Sequence, residues 1–350
     1  MRNKLRIVEV PSIKEPIRPS PGFQKKALAD HKLDILGLCG FGCRYCSSNA
    51  GNYLRINRAK FADLTEKQLG ERLLPEQHPQ LTFHWSDIVE KLTAQLNRKK
   101  KSWGQGWTLV FSMLTDGFSP LLVGRGITET VLNMVLENTS FRIRVLTKNA
   151  IVGTDKWLQF FSEHRDRIVV GLSVGTLDDT WARRVEVGTS SPTARIEALH
   201  RLQNSGVPTY GMLCPVFPDV LLEDRLDELV DHIRPDVVEE MWCEPYNDRQ
   251  NWQVVREGYA PGTAGRHWLE TVYRGKRWDL WSKYATDLFL SLHDRAEREG
   301  WLWKLRYLLY EDLVTAVDAN RMGDMAGIML QGKPNEKGQS RNPYIAAIRR

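Results

Sequence analysis

Along most of the chain, apolar positions recur at either the helical or the strand period, and the two alternate. Behind Ser86, which can cap a helix, Ile88, Leu92 and Leu96 share one face. WTLVFSML (107–114) is an apolar, β-rich run, and residues 127–137 return to helical spacing through Val131, Met134 and Val135. FRIRVLT (141–147) alternates as a strand, residues 156–164 read as a helix, and RIVVGLSV (167–174) reads as a strand. Ser191-Pro192 opens a helix whose buried face is Ile196, Leu199 and Leu202, and Gly206 and Pro208 stop it. TYGML (209–213) predicts a strand, residues 222–233 a helix and PDVVEEMWC (235–243) another strand. Together with the run at 33–38, six strands alternate with five helices.

Repeated β-α units imply parallel strands joined by right-handed crossovers. The fold class expected is therefore α/β, a partial (β/α)6 TIM-like barrel spanning 33–245, with a mainly helical extension at 246–350. Before it, residues 1–32 carry Pro11, Pro16, Pro19 and Pro21 and read as an extended arm. Residues 47–79 are polar and irregular, with at most a short helix at 65–74. In the extension, residues 278–300 predict a long helix, and WLWKLRYLLY (301–310) a strand against the barrel edge. The last segment, QGKPNEKGQSRNPYIAAIRR, is polar and basic and reads as loose.

The chain has 350 residues, 42% of them hydrophobic, enough for one large domain and an appendage. No apolar run approaches the roughly 18 residues of a membrane helix. Arg2, Lys4 and Arg6 are followed by IVEVPSIKEP rather than an apolar stretch, so export is not expected. Five cysteines, three in one loop, make no disulfide framework and point to a reducing, cytoplasmic setting. A net charge of +6 is compatible with an anionic partner such as nucleic acid. The densest basic run, residues 98–101 before Trp103 and Trp107, reads either as a phosphate grip or as a solvated helix end. Seven of the twelve tryptophans lie beyond residue 240, suited to packing the extension or to stacking on a planar substrate.

The candidate chemistry lies in KLDILGLCGFGCRYC, where Cys39, Cys43 and Cys46 follow a short apolar run. Thiolates favour zinc or iron-sulfur clusters, and Gly40 and Gly42 permit the sharp turn that gathers three of them. A structural zinc site wants a fourth ligand, and no Cys or His pair follows nearby. Cys39-x3-Cys43-x2-Cys46, with Tyr45 before the last cysteine, resembles the signature of the radical S-adenosylmethionine (SAM) superfamily. That resemblance implies a [4Fe-4S] cluster on the three cysteines and SAM chelating the fourth iron. It also implies reductive cleavage to a 5'-deoxyadenosyl radical and an electron donor such as flavodoxin or ferredoxin.

Polar residues recur at the carboxyl ends of the later strands: Thr115 and Asp116, Lys148, Ser173, then Glu186 and Arg195. The stretches LTDGFSP, LTKNAIV, GLSVGTLDD and VEVGTSSPTARIEALHRLQNSGVPTYGMLCPVFPD resemble the spore photoproduct lyase branch over about residues 30–245. By that resemblance Lys148 and Ser173 hold the SAM carboxylate, Thr115 and Asp116 its amino end, and the Tyr45 backbone its adenine. Glu186 falls where relatives carry a Glu-Pro pair, and Val187 and Gly188 follow it here. Where the lyase has a hydrogen-donating cysteine this chain has Met113 and Leu114, so thymine-dimer repair by that route is not supported. Cys214 and Cys243, at strand ends, are the alternative hydrogen donors, with Tyr307 and Tyr310 as further relay candidates. The substrate class that resemblance and charge favour is a nucleic acid or nucleotide, with a peptide or small metabolite as the other choice. Two readings of different kind stay open: a nucleic-acid-binding protein with structural zinc, and a simple electron relay.

Overall fold

The computed structural model describes residues 6–112, 114–332 and 340–348. Met113 and residues 333–339 of the polar C-terminal segment lie outside them. Twelve strands occur among the described residues: β1 Arg6–Val10, β2 Ile17–Pro19, β3 His31–Leu33, β4 Leu36–Cys39, β5 Leu81–Trp85, β6 Thr108–Phe111, β7 Arg142–Thr147, β8 Ile168–Ser173, β9 Thr209–Val216, β10 Met241–Pro245, β11 Leu305–Leu309 and β12 Ile328–Leu330. The chain divides into two compact units. The first comprises residues 1–172, 178–208 and 249–258; the second comprises 173–177, 209–248 and 259–350.

In the first unit β3, β6, β7 and β8 pair parallel in that order, and β2 adds antiparallel to β3 at the edge. The inner strands are buried on both faces, as continuous runs such as Ile168–Ser173 require. Between them run the helices Ile127–Asn138 and Asp155–Glu163, close to the limits the periodicity predicts. Pro192–Asn204 follows β8, and Ser191 Oγ accepts the Ala194 N–H at its start.

Three expectations for this unit are corrected. The arm is not merely extended: β1 pairs parallel with β5 and β2 pairs with β3. The run at 33–38 is two strands, because the chain leaves one sheet after Leu33 and joins β5 as β4. Residues 47–79 contain an 18-residue helix, Asn52–Leu69. Its Leu54, Phe61 and Ala62 pack with Val8 of β1, Leu38 of β4 and Leu81 and Phe83 of β5 into a separate small core. This second sheet and its helix therefore stiffen the chain on both sides of the cysteine loop.

In the second unit β9, β10, β11 and β12 pair parallel in that order. In the C-terminal region the strand expected at 301–310 is present as β11, and β12 adds a second parallel strand beside it. Helix Trp278–Arg298, expected at 278–300, buries Trp281, Tyr284, Leu288, Phe289 and Leu292. Four strands pair parallel in the larger sheet of the first unit and four in the second, with β1 and β5 a further parallel pair in the first, so the architecture is α/β with parallel sheets. Among the described residues no helix is long and apolar enough to cross a membrane.

Candidate functional site

Cys39 ends β4, and the chain turns at once through Gly40 (φ 71°) and Gly42 (φ 62°), in the left-handed region that favours glycine. The turn is also crowded. A Cβ on Gly40 would lie 2.3 Å from Thr82 Oγ1, and one on Gly42 the same 2.3 Å from Pro79 Cβ. Cys43 forms an isolated antiparallel bridge with Glu186, Arg44 N–H donates to Val185 O at 2.8 Å, and Gly188 N–H donates to Phe41 O at 2.8 Å. The loop is thereby clamped to residues 185–188. Cys46 N–H closes the last turn on Cys43 O at 3.1 Å, and helix Ser47–Ala50 begins directly after it.

All three thiols are free; Cys43 is buried, and Cys39 and Cys46 are half-buried. Burial pushes the Cys39 thiol up to about 12, helped by the charge of Cys46 and opposed by backbone hydrogen bonds from Phe41 and Asp116. Cys43 is raised well above its ordinary value, first by burial and then by the charge of Glu186, with Cys39 and Cys46 adding to it. The three sulfurs therefore sit within one another's electrostatic reach. Among the described residues no group of three His, Cys, Asp or Glu side chains is gathered tightly enough to hold a metal ion. One tetrahedral ion would need sulfurs within about 4 Å of each other, whereas a cluster spreads its thiolates over separate irons.

Beside the loop stands a buried polar hub. Glu186 is 5% exposed and takes Arg195, 1% exposed, on one carboxylate oxygen. Its other oxygen accepts the Tyr45 hydroxyl and faces Lys148 Nζ at 3.6 Å. Lys148 also lies over the Tyr45 ring, 5.6 Å from its centroid. Burial would raise the Glu186 carboxyl, but the charges of Arg195 and Lys148 and the hydrogen bonds from Tyr45 and Arg195 outweigh it and leave it lowered. The Tyr45 phenol is pushed well up, by burial first and then by Glu186. Tyr45, Lys148 and Glu186, three residues singled out from sequence, are thus brought together. Arg195, which sequence reading placed only in the neighbourhood, completes the hub; its signal was a charged residue among the apolar positions of the 192–204 helix.

Asp116 and Thr115 follow β6, and the two differ. The Asp116 carboxylate is buried and accepts the Phe118 N–H at 2.9 Å, the Lys148 N–H at 2.8 Å and the Thr147 hydroxyl at 2.8 and 3.0 Å. It ties the end of β6 to the end of β7. Its pKa is raised because burial outweighs those hydrogen bonds. Asp116→Asn, which turns an amide nitrogen toward these donors, is expected to lower the stability of the metal-free chain by about 2 kcal/mol in urea unfolding. Unchanged stability with weakened SAM binding would instead make Asp116 a ligand contact. Thr115 is the reverse case: its hydroxyl is buried and has no hydrogen-bond partner among the described residues. The donor set and this orphan fit a cluster-bound ligand. Three thiols leave a coordination position open, and the unmatched hydroxyl is adjacent in sequence to Asp116, whose N–H bonds Cys39.

The remaining candidates lie in the second unit. Ser173 Oγ donates to Cys214 O at 2.8 Å. Cys214 is half-buried, and Cys243 is buried with its thiol raised by burial and then by Glu244. The Tyr307 hydroxyl donates to Ala285 O and that of Tyr310 to Glu244. In the first unit Trp103 and Trp107 pack around His31, with centroids at 6.0 and 5.1 Å, and Lys99 lies 4.9 Å over Trp103. The two rings therefore pack beside a helix end, and residues 98–101 are exposed. Among the late tryptophans Trp242 and Trp281 are fully buried, while Trp278 and Trp303 are exposed.

No protein-family model matches the chain. An uncharacterized protein of Acidianus two-tailed virus is 24% identical over 145 residues, 40% of this chain and 46% of that protein. An uncharacterized protein of Methanocaldococcus jannaschii is 22% identical over 228 residues, 63% of this chain and 71% of that protein. The chain thus spans about half the length of the viral relative. Among solved structures, a double mutant of spore photoproduct lyase with bound AdoMet and dinucleoside spore photoproduct is 16% identical with a TM-score of 0.42. The similarity covers 74% of this chain and 66% of that one. Native anSMEcpe with bound AdoMet and a peptide is 11% identical with a TM-score of 0.44, covering 77% of this chain and 61% of that one.

Proposed function

We propose that this chain is a radical SAM enzyme, with Cys39, Cys43 and Cys46 holding a [4Fe-4S] cluster that an electron-donor protein reduces. The observation that carries the reading is the loop itself. Three thiols, one buried and two half-buried, sit on a glycine turn that admits no side chain, with one backbone bridge linking their loop to the hub of Tyr45, Lys148, Glu186 and Arg195. When bound, cluster and SAM supply one-electron cleavage of the sulfonium and a 5'-deoxyadenosyl radical that abstracts hydrogen from an organic substrate.

The chain's own residues do the rest. Phe41 and Asp116 N–H groups bond the Cys39 sulfur, which favours its thiolate and steadies the electron-rich group. Lys148 is the cation for the SAM carboxylate; exchanging its 3.6 Å partner Glu186 for that carboxylate costs little, because Arg195 stays on Glu186. The Thr115 hydroxyl takes the amino end, and Asp116 acts one step back by fixing the Lys148 and Phe118 backbone. An anionic substrate, a nucleic acid or nucleotide, agrees with the net charge of +6.

Anaerobic reconstitution tests the metal directly. About four irons and four sulfides per chain, with the broad visible absorption of a cluster, are expected. A single tightly held zinc in colourless, air-stable protein would replace this reading with a structural metal site.

A further inference from the structure

From Ile35 to Ala62 the sequence contains no Asp or Glu, although it carries Arg44, Arg55, Arg58 and Lys60. This acid-free stretch holds the three cysteines in its first half and runs into helix Asn52–Leu69. The helix buries Leu54, Phe61, Ala62 and Thr65 against the small sheet, so its opposite face is turned outward. On that outward side lie Tyr53, 48% exposed, and Ile56, 84% exposed. Ile56 is the most exposed large apolar side chain among the described residues. Arg55, Arg58 and Lys60 surround it, all exposed. Arg55 leans on Gln250 O at 3.3 Å and Arg58 pairs with Glu76, while no carboxylate pairs with Lys60 among the described residues. The helix also starts next to the thiol loop. Tyr53 N–H donates to Ser47 Oγ at 3.0 Å, and Ser47 adjoins Cys46. At 1.5 Å per residue, Ile56 stands only about one turn beyond the helix start.

We propose that Tyr53, Arg55, Ile56, Arg58 and Lys60 form the docking face for the protein that reduces the cluster, an acidic one-electron carrier whose cofactor is ringed by carboxylates. This rests on the cluster chemistry proposed above. An apolar centre with a charged rim is the anatomy of a transient protein interface, and a helix face whose own side chains at 53–60 are basic and not acidic steers a partner of opposite sign. A phosphate backbone would instead want a track of unengaged cations, and two of the three here already have partners in the chain. The partner's role is simple in electron count. One electron leaves the carrier's reduced flavin or iron-sulfur centre, which is oxidised by one, and enters the cluster.

The test uses the reconstituted full chain, an acidic flavodoxin as probe, and the variant R55E/I56D/K60E beside a control K99E/K100E/K101E on the other basic run. Calorimetry should show flavodoxin binding weakened at least about tenfold in the first variant and unchanged in the control. Wild-type affinity should fall as salt rises through the range where the Debye length drops from about 10 to 3 Å. With dithionite, which needs no docking, 5'-deoxyadenosine should form at the wild-type rate in both variants. Equal flavodoxin affinity for wild type and triple variant overturns the proposal, as does loss of oligonucleotide binding alone. If the triple variant is slow with dithionite too, I56D alone repeats the binding measurement and decides it. Absence of 5'-deoxyadenosine from wild type with dithionite would count against the cluster reading, while the binding comparison would still judge the surface.

Discussion

Replacing Glu186 by glutamine lowers the stability of the metal-free protein by about 3–5 kcal/mol. The reason is what remains behind. Arg195 is 1% exposed and pairs with Glu186, and Lys148, 16% exposed at the side chain, faces the same carboxylate. An amide keeps the shape and some hydrogen bonds but removes the negative charge from a buried ion pair, which is far costlier than losing a surface pair. The pH dependence has a definite sign. The folded-state pKa of Glu186 is lowered, so its contribution is fully present above the ordinary carboxylate range and is lost as pH falls through the folded value. The gap between wild type and Glu186→Gln, followed by urea unfolding, should therefore be wide at neutral pH and narrow in acid. A gap of under about 1 kcal/mol at neutral pH would mean that the hub is solvated and not a buried ion cluster.

Replacing Cys43 by alanine removes the metal, while replacing Cys214 or Cys243 leaves it. Cys43 is the buried member of the loop and its backbone pairs with Glu186. Loss even of a residue that merely supports a metal ligand costs about 10- to 100-fold in affinity, and loss of the ligand itself should cost no less. Iron in desalted Cys43→Ala protein should drop at least about tenfold after identical reconstitution. Cys214 and Cys243 sit on β9 and β10 of the other unit, outside the loop that carries the ligand set. Iron retained by Cys43→Ala and lost by Cys243→Ala would move the metal centre to a different place.

Much of the regular α/β alternation was legible because both periods were clean. β7, β8 and the helices at 127–138 and 155–163 fall within a residue or two of their predicted limits. What was missed depended on partners far along the chain. RIVEV at residues 6–10 and LTFHW at 81–85 are short runs that become strands by pairing across some 75 positions, which no local period reports. Helix Asn52–Leu69 hides its apolar side because only Leu54, Phe61, Ala62 and Thr65 are buried among many polar residues. One signal was present and went unread. Asp34 interrupts the run KLDILGLC, and a carboxylate inside an apolar stretch marks where β3 ends and the chain crosses to β4.

The candidate site shows the same division. The thiol loop was legible because cysteine spacing and glycine conformation are local properties, and Gly40 and Gly42 do take positive φ. Tyr45, Lys148 and Glu186 were named as single residues, but only tertiary structure shows that they converge with Arg195. Asp116 was expected to accept an ammonium group. Its oxygens also accept hydrogen bonds from Phe118, Thr147 and Lys148, which composition and spacing could not reveal.

The thiol loop is expected to support SAM cleavage. Anaerobically reconstituted protein should be mixed with SAM and dithionite, and 5'-deoxyadenosine quantified beside the Cys43→Ala variant. Product from wild type that is absent from the variant is the predicted result. Wild-type protein shown to carry a full cluster, yet yielding no 5'-deoxyadenosine, would contradict the account and leave an electron relay as the function of the three cysteines.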